Sequence, residues 1–435
     1  MTTAVGRGLA AHRVVLKNGA TVLVKEARTV PAVTIQVSLR AGSIYEADDE
    51  LGLSHLTSRT LDRGTATRSS DEIAEALDAR GVSLTLSANR HVLTVSCTCL
   101  AEDFEPMLQL LGEMVMQPAF PDTEVTTRKG ELLNAIRQDE DSPAAQAVHA
   151  MFAMIYPDGH PYGRPAKGRV ETVSRLDRAT LQRFHRSRFA PSGLTVIVVG
   201  DVDHSRAADV SERVFGEWKA ATPAEITLPH PPLLPERRER VISMMNKAQA
   251  DIAYGFTTIV RSDPSYYAYT LMNNALGQYG IGGRLGDNIR ESQGMAYYVY
   301  SSFDANVVEG PLFVRAGVNP NNVERAIAAI DNELRKMAGG GMTAEELADC
   351  KLYLVGSIPR MLETNQAIAT FLQTVEFFGL GLDHDLRLPA LLEAVTLDEA
   401  NAAARRTLDP SRAAVVVAGP YEANGSGSLF QQATT

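Results

Sequence analysis

Apolar and polar positions alternate with the period of a strand in several stretches near the start of the chain. "VVLKNGATVLV" sets two apolar runs either side of Asn18-Gly19, a dipeptide suited to a tight hairpin turn, and "VTIQVSLRAGS" predicts another strand. "SSDEIAEALDARG" then shifts to the helical period, with Ser70 as the expected N-cap, Ile73, Ala76 and Leu77 on one face, and Gly81 at the end. Two strands are predicted over Val82 to Ala88 and Val92 to Leu100. An amphipathic helix carrying Phe104, Met107, Leu108, Leu111 and Val115 follows, then a long helix from about Asp122 to Gln138. In "HVLTVSCTCL", Leu93, Val95, Cys97 and Cys99 share one side of the strand, so both thiols are expected in the core and not on a metal.

The pattern repeats. "LDRATLQRFHRSRFAPSGLTVIVVGDV" (Leu176 to Val202) is similar to "LDEANAAARRTLDPSRAAVVVAGPY" (Leu397 to Tyr421): each reads as a helix, a Pro-Ser turn and a Val-rich strand ending in Gly. Between them "WKAATPAEITLPHPPLLPERRER" has five prolines and little periodicity, the marks of a linker. The expected organisation is α+β, with two related tandem domains, each a mixed or antiparallel sheet covered by helices. Residues 1–220 form the first, 221–237 the linker, 238–421 the second and 422–435 a tail.

A length of 435 residues agrees with more than one domain. The formal charge of −10 and the lack of a basic stripe argue against nucleic acid as a partner. Three cysteines do not make a disulfide framework, and no apolar run is long enough to span a bilayer. The start, "MTTAVGRGLAAHRVV", has no apolar leader core, so the expected location is the cytoplasm, or the periplasm if a signal peptide has been removed.

One helical stretch carries candidate chemistry. In "LGLSHLTSRTLDRGT" (Leu51 to Thr65), positions 55 and 59 lie on one helical face, the spacing by which zinc peptidases present two ligands, with a glutamate between them activating water. Position 55 is His, but position 58 is Ser and position 59 is Arg. The frame Gly52, Leu53, His55, Gly64, Thr65 resembles that of the pitrilysin family of zinc metallopeptidases, which includes insulin-degrading enzyme and mitochondrial processing peptidase and uses an inverted His-x-x-Glu-His motif. That resemblance implies a third ligand in "ELLNAIRQDEDSP", where matching the Asp141-x-Pro143 turn puts Ala135, with Glu131 one helical turn earlier. His55, Ser58, Arg59 and Ala135 therefore mark a degenerate zinc site. Arg59 places a fixed positive charge where a cation would sit, and the chain alone is expected to hold no metal and to have no catalytic residue.

The second half keeps what the first has lost. "IGGRLGDNIRESQGMAYYVYSSF" (Ile281 to Phe303) resembles the family's C-terminal signature: a Gly-rich turn, Arg-Leu, Ile-Arg-Glu and Gly-x-Ala-Tyr. The resemblance implies that Arg290 and Tyr297 reach a substrate in a catalytic domain, with Gly282 and Gly283 beside it. Arg290 should lie near the end of a helix closed by Gly294, and Tyr297 should open a strand that shares a face with Val299 and Ser301. A guanidinium and a phenol aimed at a scissile carbonyl would orient and stabilise it. "QPAFPDTE", "HPYGRPAKG" and "GGGMTAEELADCKLYLVG" extend the likeness over most of the chain, and His160 in the second of these reads as structural.

The resemblance implies a non-catalytic subunit of a heterodimeric zinc metallopeptidase. It would form half of a peptide chamber beside a homologous His-x-x-Glu-His partner that holds the zinc, with an extended peptide as substrate. The alternatives are a structural subunit like the core proteins of respiratory complexes, or a homodimer that binds peptides without cutting them.

Overall fold

The structure, a computed structural model, describes residues 8–157, 159–278 and 282–422. The first half of the chain runs β1 (His12–Val15), β2 (Thr21–Glu26), β3 (Ala32–Leu39), α1 (Leu53–Ser58), α2 (Ser70–Asp78), β4 (Leu84–Ala88), β5 (Leu93–Leu100), α3 (Phe104–Met116), α4 (Asp122–Glu140), α5 (Pro143–Ile155), α6 (Val170–Arg175), α7 (Arg178–Arg188), β6 (Leu194–Gly200) and α8 (His204–Phe215). The second runs β7 (Arg238–Ser243), β8 (Ala250–Thr257), α9 (Tyr266–Asn273), β9 (Ala296–Phe303), β10 (Pro311–Val318), α10 (Val323–Gly340), α11 (Ala344–Met361), α12 (Asn365–Phe377), α13 (His384–Glu393), α14 (Leu397–Thr407) and β11 (Ala414–Gly419). Two π-helical stretches, Asn274–Gln278 and Gly286–Ser292, lie between α9 and β9. The fold is α+β, as expected. Beyond Glu422 the expected tail lies outside the described residues, as does Ile281 at the head of the glycine-rich signature.

Local chemistry accounts for most boundaries. Asn18-Gly19 joins β1 to β2, with Gly19 at a φ of 91°. The N-cap of α2 is Ser69, one residue before the expected Ser70. Ser69 Oγ accepts the Glu72 N–H at 3.2 Å, and Glu72 Oε2 accepts the Ser69 N–H at 2.7 Å, a reciprocal cap that needs the acid three residues on. Cys97 and Cys99 are buried on β5, and burial pushes their thiols up to about 12 and about 11.

The repeat seen in the sequence is a repeat of topology. One sheet has the order β1-β2-β6-β3-β5-β4, the other β7-β11-β8-β10-β9. Setting aside β1, the order and sense match strand for strand: β2 beside β6 and β7 beside β11 are the parallel pairs, and all others are antiparallel. The similar segments supply α7 and β6 in one sheet, and α14 and β11 in the other.

The central strands are buried on both faces. β6 is buried at every position but Thr195, and β8 is buried at every position. In the first sheet Val22, Ile35, Val37, Val196 and Val198 pack with Leu53, Leu56, Leu108 and Leu111 on one face. Leu23, Ile197 and Val199 on the other face meet Ile368 and Leu372 of α12. The polar side of β3 is satisfied there too: Gln36 Nε2 donates to Gln373 Oε1 at 3.4 Å, and Asn365 Nδ2 donates to the Ala32 carbonyl at 3.3 Å.

Contacts thus sort the chain into two compact units that interleave in sequence. The stretch Gln138–Arg164, bearing α5, belongs with the second sheet, and Ile358–Arg387, bearing α12, belongs with the first. The remaining crossing, at Thr227/Leu228, falls in the proline-rich segment. Each linear half expected from the repeat therefore gives one helix to the other unit. Within the second unit α5 lies on β8 and β11. It lies so close that a Cβ on Gly255 would fall 2.1 Å from Met151 Sδ.

That contact separates two glycines experimentally. Gly255→Ala is expected to lower unfolding stability by about 1–3 kcal/mol through overpacking. Gly130→Ala, in α4 with nothing within 4 Å of an added Cβ, should raise it by up to about 1 kcal/mol. Urea denaturation of the two variants checks both signs.

Candidate functional site

The degenerate motif lies at the end of the short helix α1. A buried carboxylate organises its start: Glu46 accepts the Gly52 N–H at 2.9 Å and the Ser54 N–H at 2.7 Å, placing a negative charge on the helix N-terminus. Ser58, where a general base would stand, is buried and turned back on the helix, its Oγ donating to the His55 carbonyl at 2.8 Å. Arg59 is the C-cap, its N–H on the same carbonyl at 3.2 Å.

The guanidinium of Arg59 reaches α4, where Nη2 lies 3.0 Å from Glu131 Oε2. The second oxygen of Glu131 is taken by Arg128 Nη1 at 2.6 Å. The hydrogen bond from Arg59, followed by that from Arg128, holds the Glu131 carboxyl below its ordinary range. Arg128 also approaches Glu124 at 3.6 Å, and Arg63 pairs with Asp62 at 3.0 Å. Burial pushes the Asp62 carboxyl up, with Arg63 and then Arg128 pulling the other way. Three arginines thus stand among three carboxylates.

These residues do not fit zinc. Ala135, half-buried one turn beyond Glu131, has no ligating atom. Glu131 has both oxygens committed to guanidinium groups. A divalent cation brought to Glu131 would meet Arg59 and Arg128 at close range, and Coulomb repulsion opposes it. Among the described residues no group of three or more His, Cys, Asp and Glu side chains could hold a metal ion. His55 is the one residue of the motif with a ligand's chemistry. The pairing of Arg59 with Glu131 was not legible in the sequence, where Glu131 entered only as a substitute ligand.

The residues of the second signature are placed differently. Gly286–Ser292 winds as a π-helix with Leu285 and Ile289 buried beneath it, and Asn288 Nδ2 ties it to Glu333 Oε1 at 2.7 Å. Its leading edge is clamped by Arg284, which donates to Glu346 Oε1 and Oε2 at 2.6 and 2.7 Å and to the Gly341 carbonyl at 2.8 Å. Gly294, at a φ of 62°, closes the segment by donating to the Arg290 carbonyl at 3.1 Å. Of the two glycines, Gly283 is used inside the fold: a Cβ there would lie 2.8 Å from Gly277 Cα. Gly282 is exposed and lines a cleft of about 320 Å³ with Asn274, Glu346 and Tyr353.

Arg290 and Tyr297 both face outward. The Arg290 side chain is 44% exposed, and its ion pair among the described residues is a loose one, 3.6 Å to the neighbouring Glu291. Tyr297 is 63% exposed. β9 begins one residue before it, and the register shows why it does not share the buried face of Val299 and Ser301. Gly317 pairs with Tyr298 and Val318 with Ala296, so Tyr297 is the extra residue of a β-bulge. A bulge breaks the alternation and re-aims the side chain it holds. The doublet in "AYYVYSSF" is the trace of this in the sequence. His160 is buried and bonded on both ring nitrogens, Nδ1 accepting the Tyr162 N–H at 3.0 Å and Nε2 lying 2.9 Å from the Pro229 carbonyl, a structural role.

The Arg59–Glu131 pair has a pH signature. Because the carboxyl is held below its ordinary value, its contribution is complete above about 4.5 and is lost as pH falls through the lower value it has in the folded chain. Both side chains are more than a third exposed, so Arg59→Met is expected to cost less than about 1 kcal/mol at pH 7. The difference should be smaller at pH 3 than at pH 7. Denaturation of both proteins at the two pH values tests this, and zinc analysis after dialysis should find far less than one ion per wild-type chain.

Comparison with known proteins places the chain. The family model described as Insulinase (Peptidase family M16) matches residues 21–166, and that of the Peptidase M16 inactive domain matches residues 175–354. An uncharacterized zinc protease of Mycobacterium leprae is 28% identical over 419 residues, 94% of this chain and 92% of that one. One of Bacillus subtilis is 26% identical over 82% of this chain and 85% of its own length. Among solved structures, a peptidase M16 inactive domain from Pseudomonas fluorescens superposes with a TM-score of 0.87 at 26% identity, covering 95% of this chain and 98% of that one. A protease from Helicobacter pylori shares the fold with a TM-score of 0.88 at 18% identity over 94% and 99% of the two chains. With both halves matched in order, the chain belongs to the M16, or insulinase, family of peptidases.

Proposed function

We propose that this chain is the non-catalytic subunit of a two-chain zinc metallopeptidase. It forms half of the peptide chamber and contributes Arg290 and Tyr297 to a substrate bound in its partner's active site. The partner is a homologous chain with an intact His-x-x-Glu-His motif, and zinc is held there. Hydrolysis of a peptide bond develops negative charge on the carbonyl oxygen, and a guanidinium and a phenol supplied across a subunit boundary would stabilise and orient that group.

The single observation that carries this reading is an asymmetry between two sets of residues. The metal position is closed by an internal ion pair, Arg59 on Glu131, while Arg290 and Tyr297 are left exposed on a rigidly clamped π-helix and a bulged strand. A chain that had lost all connection with peptides would have no use for the second arrangement. The relatives' names, uncharacterized zinc proteases, agree with the reaction class. No described helix is long and apolar enough to cross a membrane.

Native purification of the chain from its own cells should recover a partner of similar length bearing His-x-x-Glu-His, with about one zinc per pair. In that complex Arg290→Ala is expected to lower kcat/KM by about 100-fold or more, and Tyr297→Phe by roughly tenfold, without loss of zinc or of assembly. Unchanged turnover in the Arg290→Ala complex would remove the role given to the pair. Recovery with membrane respiratory subunits would make the chain a scaffold instead.

A further inference from the structure

The face of the second sheet that α5 partly covers carries, toward its β9 edge, a guanidinium with no ion-pair partner among the described residues. Arg315 lies on β10 directly opposite Tyr300 of β9. Its Nη1 donates to the Tyr300 hydroxyl at 3.0 Å. Its guanidinium carbon lies 5.8 Å from the Tyr300 ring centre and 6.0 Å from that of Tyr298. The two rings are themselves 6.0 Å apart. Among the described residues no carboxylate forms an ion pair with Arg315, and its side chain is only half-buried.

The neighbouring groups hold this arrangement in place and do not neutralise it. Tyr298 lies flat over Gly317, where a Cβ would sit 2.5 Å from the ring, so that glycine is what admits the tyrosine. The Tyr298 hydroxyl donates to Asp251 Oδ1, and Gln249 Nε2 donates to Asp251 Oδ2 at 3.2 Å. The buried carboxylate is therefore occupied by its own two donors and leaves the arginine unpaired. A guanidinium fixed by a hydroxyl and flanked by two aromatic rings has lost much of the side-chain freedom that makes exposed ion pairs weak, and its planar fork suits a carboxylate.

β9 is the outermost strand of its sheet, with no strand on its outer side among the described residues. An extended peptide added there would lie about 10 Å from β10, twice the usual strand spacing, and every second side chain would fall on the Tyr298–Tyr300–Arg315 face. The combined reach of an arginine and a glutamate side chain covers that span. The bulge at Tyr297 lies on the same strand, so a peptide along β9 would run past it.

We propose that Arg315, held between Tyr298 and Tyr300, is a specificity subsite for a carboxylate of an extended peptide added along β9. This rests on the peptide-holding role above and supplies a preference that role does not contain.

The test is fluorescence polarisation with the full-length chain and labelled extended peptides. They are identical except for Glu or Gln scanned through successive positions, each made with an amidated and with a free C-terminus. The expected result is one position where Glu binds about tenfold tighter than Gln, the size of one charge-assisted pair. In Arg315→Gln that ratio should fall to about one while the Gln peptide binds as before, which also shows that the variant is folded. Arg315→Lys should keep part of the preference. A preference that follows the free C-terminus instead identifies the chain end as the source of the carboxylate. A Glu-to-Gln ratio near one in the wild type, or one unchanged in Arg315→Gln, overturns the subsite and leaves peptide holding intact. If no peptide binds the wild type, peptide holding is overturned and the subsite with it. The turnover of the Arg290→Ala complex is a separate readout and fails independently.

Discussion

Strands that are apolar on both faces must be covered on both faces, and the arrangement of this chain follows from that requirement. In the first sheet α1 and α3 cover one side, and α12 closes the other across Leu23, Ile197 and Val199. In the second, α5 performs the same service on β8, so closely that only a glycine at position 255 admits Met151. Neither covering helix comes from its own half of the sequence. The compact units therefore do not coincide with the duplicated halves of the sequence: each includes a helix from the other half.

A rigid scaffold of this kind can keep or discard surface chemistry position by position. At the end of α1, where the resemblance led to the expectation of a ligand position, Arg59 places a fixed cation and Glu131 pairs with it. The result is a small neutral network of arginines and carboxylates that stabilises little, because it is half exposed, and that sets two guanidinium groups against the Glu131 carboxylate a cation would need. On the second sheet the opposite holds. Around Arg290 and Tyr297, whose side chains are exposed, stand a π-helix, a bidentate arginine clamp, glycine against glycine and a bulge. Bulges and π-turns cost ladder hydrogen bonds, and they persist where a side chain must be aimed.

Local signals were legible where the physics is local. Asn18-Gly19 named its hairpin, the alternation through Cys97 and Cys99 named a buried strand face, and the similar segments ending at Val202 and Tyr421 announced a duplication that the strand orders repeat. The cap of α2 was read one residue late because Ser69 and Ser70 are both competent and only the reach of Glu72 chooses between them. The motif frame around His55 and the glycine-rich signature identified the family's two characteristic regions by residue type and spacing alone.

What the sequence by itself determined is therefore the class of fold, the duplication, and the absence of a base and a second imidazole at positions 58 and 59. Each of these depends on residue identity or on periodicity over a few neighbours. Only the tertiary structure decided that α5 and α12 are exchanged, that Arg59 closes on Glu131 across 72 positions, that Gly283 packs inward while Gly282 does not, and that Arg315 stands between two tyrosines with no ion-pair partner among the described residues. These are pairings between residues far apart in the chain. They depend on which faces are left to cover once the strands have formed, and no short window of sequence contains that information.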